Sequence, residues 1–422
     1  MNKNLLKITG YLGVFLFVTG ISYYLFDYLI PSGSGISLSP GGTEINKDKT
    51  EEDASSTNTY TGPKTEICPI NGQLYTKEEK AIWSTRRPLL VMIENHEDSR
   101  PQSGLQSADI VYEAVAEGGI TRFMGVFYCG IVASQADLDA KYDVGPVRSA
   151  RTYFLDIASE YSDYPLYNHV GGANCSAPKD PVTGRQSGPC TTNKKAQALE
   201  QIAQYGWNNQ GTWSDLSQFS LSYKACRREP DRTGDERATE HTMYCSTTEL
   251  WNIAENRGLT NITEAKKSSW DKSYKPWLFT QKDSTSNSAS TISFDFWSGY
   301  KGYSVSWKYD PSSNLYLRSN GGKEQTDFNT KKTITAKNII IQFTKESRSV
   351  DEHFHNLYEM IGSGKGILYQ NGNKIDITWS KANRTARTIF KDASNKEVNF
   401  VPGNIWVEIL PLNTNVSYEN SN

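Results

Sequence analysis

The sequence predicts an α+β protein: a mixed α/β domain over residues 67–265, then a mostly antiparallel β domain over 275–413, both following a single transmembrane helix. Three observations lead there. In the first region short apolar runs interleave with helix-periodic stretches, so strands and helices must pack on one another. In the second, closely spaced alternating runs are joined by Asn-Gly pairs. One apolar stretch of bilayer length opens the chain.

Composition bounds the function. The 422 residues carry 45 Lys+Arg against 47 Asp+Glu, a formal net charge of −2. That balance argues against wholesale electrostatic attraction to nucleic acid, so no nucleic-acid partner is expected. Aromatic residues make up 12%, with 24 Tyr and 10 Trp, which is enough to build real cores. A mean hydropathy of −0.60 excludes a multi-spanning membrane protein but not one span.

Residues 1–30 read as a cytoplasmic tip and a signal anchor. Ile8 to Ile30 is ITGYLGVFLFVTGISYYLFDYLI, close to the ~20 residues that cross a bilayer. Its only charge, Asp27, lies near the end. Lys3 and Lys7 flank the start and stay cytoplasmic by the positive-inside rule. The stretch ends in bulky side chains rather than a small-residue cleavage site, so it is expected to stay attached. The expected location is the cell membrane, single-pass, with the body outside the cytoplasm. Residues 31–66 hold almost no large apolar side chains and read as a flexible tether.

Six cysteines lie beyond the span, none in a C-x-x-C pair, so disulfides are expected rather than a zinc ribbon. Cys175–Cys190 and Cys226–Cys245 would close short loops and leave Cys68–Cys129. Six cysteines allow fifteen connectivities, and this set is a preference among them.

In the first region the strand-like runs are 88–94, 108–116, 121–128 and 165–171, and the helical patterns are 147–162, 193–206 and 247–258. Residues 172–192 and 226–240 read as long loops. In the second, strand-like runs fall at 290–297, 303–310, 315–320, 338–344, 366–381, 387–392 and 404–411. Asn320-Gly321 and Asn371-Gly372 are hairpin signals. No phosphate-binding loop, HExxH zinc helix or GxSxG elbow is present. No cofactor and no metal site is expected.

The chemistry is expected in the first region. In DIVYEAVAEGGITRFMGVFY (109–128), strand alternation puts Glu113 and Glu117 on one face. A Gly118-Gly119 turn would pair Glu117 with Ile120 and Val115 with Arg122, setting Arg122 diagonal to both carboxylates. In DVGPVRSARTYFLDIASEY (143–161), Pro146 suits a first helical position and puts Arg148 and Arg151 in the opening turn. Cations there are electrostatically unfavourable, so an anion should compensate: Glu113 and Glu117, or a ligand. A paired charge cluster that is only architecture is the competing reading. With Arg122 between them, both carboxylates would stay ionised.

His169 ends an apolar run before a Gly pair, a place where function gathers. His96 and His241 lie in loops. A metal held by His96, His169 and His241 would require three distant segments to meet.

RPLLVMIENHEDSRPQSGLQSADIVYEAVAEGGITRFMGVFY (87–128), DVGPVRSAR (143–151) and YNHVGG (167–172) resemble the YerB-like lipoprotein family, a two-part domain of unknown function. The runs 275–279, 305–310, 315–322, 336–343, 377–381 and 401–410 resemble its second part. The resemblance implies a membrane-attached, extracytoplasmic protein of α/β plus β build, and it brings no activity with it. This chain departs from lipidated relatives in its signal anchor and in the Cys-bearing loop 173–190.

Three functions remain. One is a tethered module that binds an anionic envelope component, or an envelope protein partner, through Arg122, Arg148 and Arg151. Another is a hydrolase or transferase acting on cell-wall material with Glu113 or Glu117 and His169 as catalytic residues. The last is a purely structural partner-binding protein.

Overall fold

The computed structural model describes Tyr60 and residues 62–137, 142–177, 188–280 and 290–420. The expected span at 8–30 and nearly all of the tether lie outside the described residues. Among the described residues no helix is long and apolar enough to cross a membrane.

The fold is built around two sheets. The longer strands of the amino-terminal half are β1 (Leu89–Glu94), β2 (Ile110–Glu117), β3 (Ile120–Phe127), β4 (Leu166–His169) and β5 (Asp215–Ser217). Those of the carboxy-terminal half are β6 (Ser290–Phe294), β7 (Val305–Asp310), β8 (Leu315–Asn320), β9 (Asn338–Thr344), β10 (Gly362–Gln370), β11 (Asn373–Lys381), β12 (Ile389–Lys391), β13 (Ile405–Pro411) and β14 (Val416–Asn420). Helices are few and short: α1 (Thr152–Ala158), α2 (Ala198–Gln204) and α3 (Thr247–Asn256) lie inside the three stretches where the periodicity puts them, and two more, Lys77–Trp83 and Gly130–Asp137, fall where none is expected.

The larger sheet has ten strands in the order β12-β11-β10-β9-β13-β2-β3-β1-β4-β5. It takes strands from both sides of the 265/275 boundary, and all of Ser56–Asn422 forms one compact unit. The join is β13, which runs parallel to both β9 and β2. Each of its seven residues is buried. Strands covered on both faces need near-continuous apolar runs, and IWVEILP and LLVMIE supply them. The second sheet contains β8, β7, β6 and β14 in that order, all antiparallel. Its strands alternate inward and outward residues, as in the buried–intermediate pattern of LYLRSN.

Two hairpins follow their turn residues. Asn371 and Gly372 both have positive φ, 53° and 71°, as the turn joining β10 to β11 requires. Gly118 and Gly119 do the same at 55° and 80° between β2 and β3. The cysteines pair as Cys68–Cys129, Cys175–Cys190 and Cys226–Cys245.

Between the sheets lies a fully buried ion cluster. Arg318 of β8 donates to Glu113 of β2 and, at 2.6 Å, to Glu408 of β13. Glu113 and Glu408 are register partners. The guanidinium also stacks near Phe123, Trp307 and Trp406, at 5.7, 5.0 and 4.4 Å from the ring centroids. Trp307 Nε1 donates to Glu408 at 2.9 Å and Gln325 accepts from Arg318 Nε at 2.6 Å. Removing the cation would strand two carboxylates in a dry interior. Arg318→Leu should therefore cost about 3–5 kcal/mol in urea unfolding at neutral pH. The loss should shrink on acidification, as protons replace the missing charge; a loss independent of pH would refute this account.

Candidate functional site

The β2–β3 hairpin sets the first half of the site. Glu117 pairs with Ile120 across the turn, as the sequence suggests. Beyond that the register shifts: Val115 opposes Thr121, Ala114 opposes Arg122 and Glu113 opposes Phe123. The expected Val115–Arg122 pairing is thus corrected by one residue. An extra residue, Ala116, forms a bulge. Its carbonyl accepts from Asn356 Nδ2 at 3.2 Å, and that of Val115 accepts from the Tyr153 hydroxyl at 2.8 Å. One extra residue reverses the alternation. Glu113 points toward the second sheet and Arg318, while Glu117 points to the opposite face with Arg122.

The segment 143–151 sets the second half. It does not open a helix at Pro146; α1 begins at Thr152, with Arg151 only at its cap. The backbone amides that would start a helix are spent elsewhere. Val147 N–H donates to Met243 O at 2.6 Å, Arg148 N–H to Met92 O at 2.9 Å and Ala150 N–H to Gly171 O at 3.0 Å. The chain is therefore an extended seam laid against β1. The helix-terminus argument for an anion at Arg148 and Arg151 lapses with it.

Charge still gathers on that face. Arg122 and Arg151 converge on Glu117 from two sides, Arg122 at 3.4 Å. Their Nη1 groups also donate to Ser149 O at 3.0 Å and Ala150 O at 2.6 Å. Both are buried, and the Nε of each has no hydrogen-bond partner among the described residues. Burial lowers the pKa of both guanidinium groups, and the Tyr153 phenol opposes it at each. Arg148 is held differently. Its Nε donates to Glu94 Oε1 at 2.9 Å, and its side chain is 29% exposed. Its terminal nitrogens have no protein acceptor among the described residues. Glu94 is the register partner of Arg122 and also takes His241 Nδ1 on Oε2 at 2.9 Å. Glu94, Arg148, Arg122, Glu117 and Arg151 thus form one charged row, with His241 at one end. Asp351 and His355, paired at 2.9 Å, lie toward Arg151 at the other.

His169 makes its hydrogen bonds to neither Glu113 nor Glu117. It is fully buried, with Nδ1 on Gly171 O at 2.6 Å and Nε2 on Asp215 at 2.8 Å. Both ring nitrogens are occupied by the fold. Glu113 also receives Asn95 Nδ2 and Thr121 Oγ1, at 3.2 and 2.5 Å. Burial pushes its carboxyl pKa up, Arg318 pulls it down, and the neighbouring Glu408 pushes it up again. One cation between two carboxylates leaves room for a retained proton.

Sequence reasoning missed Glu94, Asp215, Arg318 and Glu408 as partners. Arg318 carried a usable signal: a charge at an inward position of an alternating strand. Glu94 carried one too, as the only charge closing an apolar run. Asp215 had none. Two groups of potential metal ligands come together. Cys68, Asp109 and Cys129 are tied up by a disulfide; His96, Asp98 and His241 are not.

Residues 72–260 match a family model described as "Protein of unknown function (DUF3048) N-terminal domain", and 292–407 match its C-terminal domain. The chain belongs to the DUF3048 family. The Bacillus subtilis (strain 168) protein named "Putative lipoprotein YerB" is 29% identical over 347 residues, covering 82% of this chain and 86% of its own length. The crystal structure of the YerB protein from Bacillus subtilis superposes with a TM-score of 0.61 at 24% identity, over 84% of this chain and 100% of that one. The two matched stretches fall on either side of residues 261–291, and the solved relative shares the fold.

Two outcomes follow from the charges. A carboxyl whose pKa is raised on folding stabilises the protein below its unfolded pKa, and that contribution is lost as pH rises through the folded pKa. Wild-type stability should therefore fall relative to Glu113→Gln as pH rises from about 5 to about 8, read by urea unfolding at each pH. Parallel curves would place the proton elsewhere. Glu117→Gln should cost about 1.5–3 kcal/mol, because two buried guanidinium groups lose their anion. Adding Arg151→Gln should then cost less than the sum of the two single changes; full additivity would show that the contact carries no energy.

Proposed function

We propose that the protein is a membrane-attached, extracytoplasmic binding protein that recognises an anionic component of the cell envelope, or an anionic patch on an envelope partner, at Arg148. The observation carrying this reading is the unequal use of the three arginines. Arg122 and Arg151 are buried on Glu117 and act as scaffold. Arg148 is oriented by one bond to Glu94, its side chain is 29% exposed, and its terminal nitrogens have no protein acceptor among the described residues, though Glu240 lies close enough to act on its charge. Within the row, Arg122, Arg148 and Arg151 outnumber Glu94 and Glu117 by one positive charge. A guanidinium fixed at Nε with a free fork is suited to carboxylate or phosphate. Attachment to the membrane is supported by the apolar stretch 8–30 and by the word lipoprotein in the name of the Bacillus subtilis relative.

Binding is favoured over hydrolysis by the placement of the acid and base candidates. Glu113 and Glu117 lie on opposite faces of the sheet, Glu113 is sealed from solvent, and His169 spends both nitrogens internally. A general acid or base must reach the proton that it moves.

Thermal unfolding with inorganic phosphate, citrate and muropeptides at low ionic strength tests the reading. At least one should raise the Tm of the wild type by a few degrees and leave that of Arg148→Ala unchanged. Equal shifts in both proteins, or none with any compound, would remove Arg148 from the role.

A further inference from the structure

We infer that His96, Asp98 and His241 form a binding site for a first-row divalent metal ion, with zinc a good match to its donors. This goes beyond the anion-binding reading and does not depend on it. The two histidines come from segments far apart in the chain, yet their rings stack with centroids 4.6 Å apart and 15° between planes. One ligand atom from each of the three residues lies within 4.8 Å of the others.

His241 is prepared for a metal. His241 is buried, and Glu94 Oε2 holds its Nδ1 at 2.9 Å. A carboxylate on one imidazole nitrogen fixes the proton there and leaves the other nitrogen bare, the arrangement found behind metal-ligating histidines. His241 Nε2 has no protein partner among the described residues. His96 Nδ1 lies 3.6 Å from Asp98 Oδ2; it also accepts the Asp98 amide at 3.2 Å, a bond that occupies its lone pair and must give way to a metal. Bonds of about 2.0–2.1 Å in a tetrahedron put neighbouring ligand atoms about 3.3–3.4 Å apart. Against atoms now within 4.8 Å of one another, a bound ion requires the three ligands to draw in by up to about 1.4 Å.

The surroundings suit an exchangeable site. Asp98 and His96 are reached from solvent, with side chains 70% and 32% exposed. The loop that carries them is tied down: Arg237 donates to Asp98 O and, at 3.3 Å, to Arg100 O. Asp98 supplies one formal negative charge directly, and Glu94, through His241, offsets Arg148. Two imidazoles and a carboxylate suit zinc and leave a fourth position for water or another ligand.

The test is titration of the EDTA-treated full-length protein with Zn2+ by calorimetry, in buffer free of phosphate and citrate. Co2+ absorption serves as the second readout. One ion per chain is expected, with the visible band of tetrahedral cobalt. Asp98→Asn and His96→Gln change solvent-reached side chains and should fold; each should weaken binding at least about tenfold. His353→Gln, at the other histidine pair, should leave it unchanged. Absence of binding, full affinity in both Asp98→Asn and His96→Gln, or loss in His353→Gln would overturn the site.

Discussion

One guanidinium holds the two halves of the chain in register. Arg318 reaches from the second sheet into the larger one and meets Glu113 from the amino-terminal half and Glu408 from the carboxy-terminal half. Burying three ionisable groups is costly, and it is tolerable only when each finds its partner. The parallel pairing of β13 with β2 must therefore place Glu408 opposite Glu113. A slip by one residue would turn one carboxylate to the other face and leave Arg318 half-neutralised. Three aromatic rings around the cation limit its alternatives further. Everything on the far face, including the arginine row, inherits its position from this alignment.

The local architecture could be read from the chain. The runs that became β1, β8 and β9 announce themselves by apolar continuity or strict alternation, which neighbouring residues decide by themselves. The Gly118-Gly119 and Asn371-Gly372 turns were legible for the same reason: positive φ is a property of one or two residues. Parallel pairing is decided by distant ones. Nothing in IWVEILP names β2 as its neighbour, so a boundary drawn from composition separated strands that lie side by side.

The site was legible in its membership and less so in its geometry. Arg122, Arg151 and Glu117 do meet, and Arg148 lies on the same row. The grouping of Glu113 with them failed at Ala116. The bulge there is held by Asn356 and Tyr153, and EAVAEGG contains no hint of either. The helix expected from Pro146 failed similarly, because Met243, Met92 and Gly171 claim the amides of the seam. His96 and His241 are ordinary loop histidines in sequence, and Glu94 joins their neighbourhood to Arg148. In each case the deciding hydrogen bond comes from outside any local window.

β13 occupies the middle of the larger sheet, although nearly the whole chain is made before it. Until residues 405–411 have been made, β2 and β9 each lack the strand that lies between them. Closure of the larger sheet is thus a late event, completed by a late-arriving keystone. During that interval the incomplete sheet is open to proteases and chaperones. A chain terminated near residue 400 would never leave that vulnerable state.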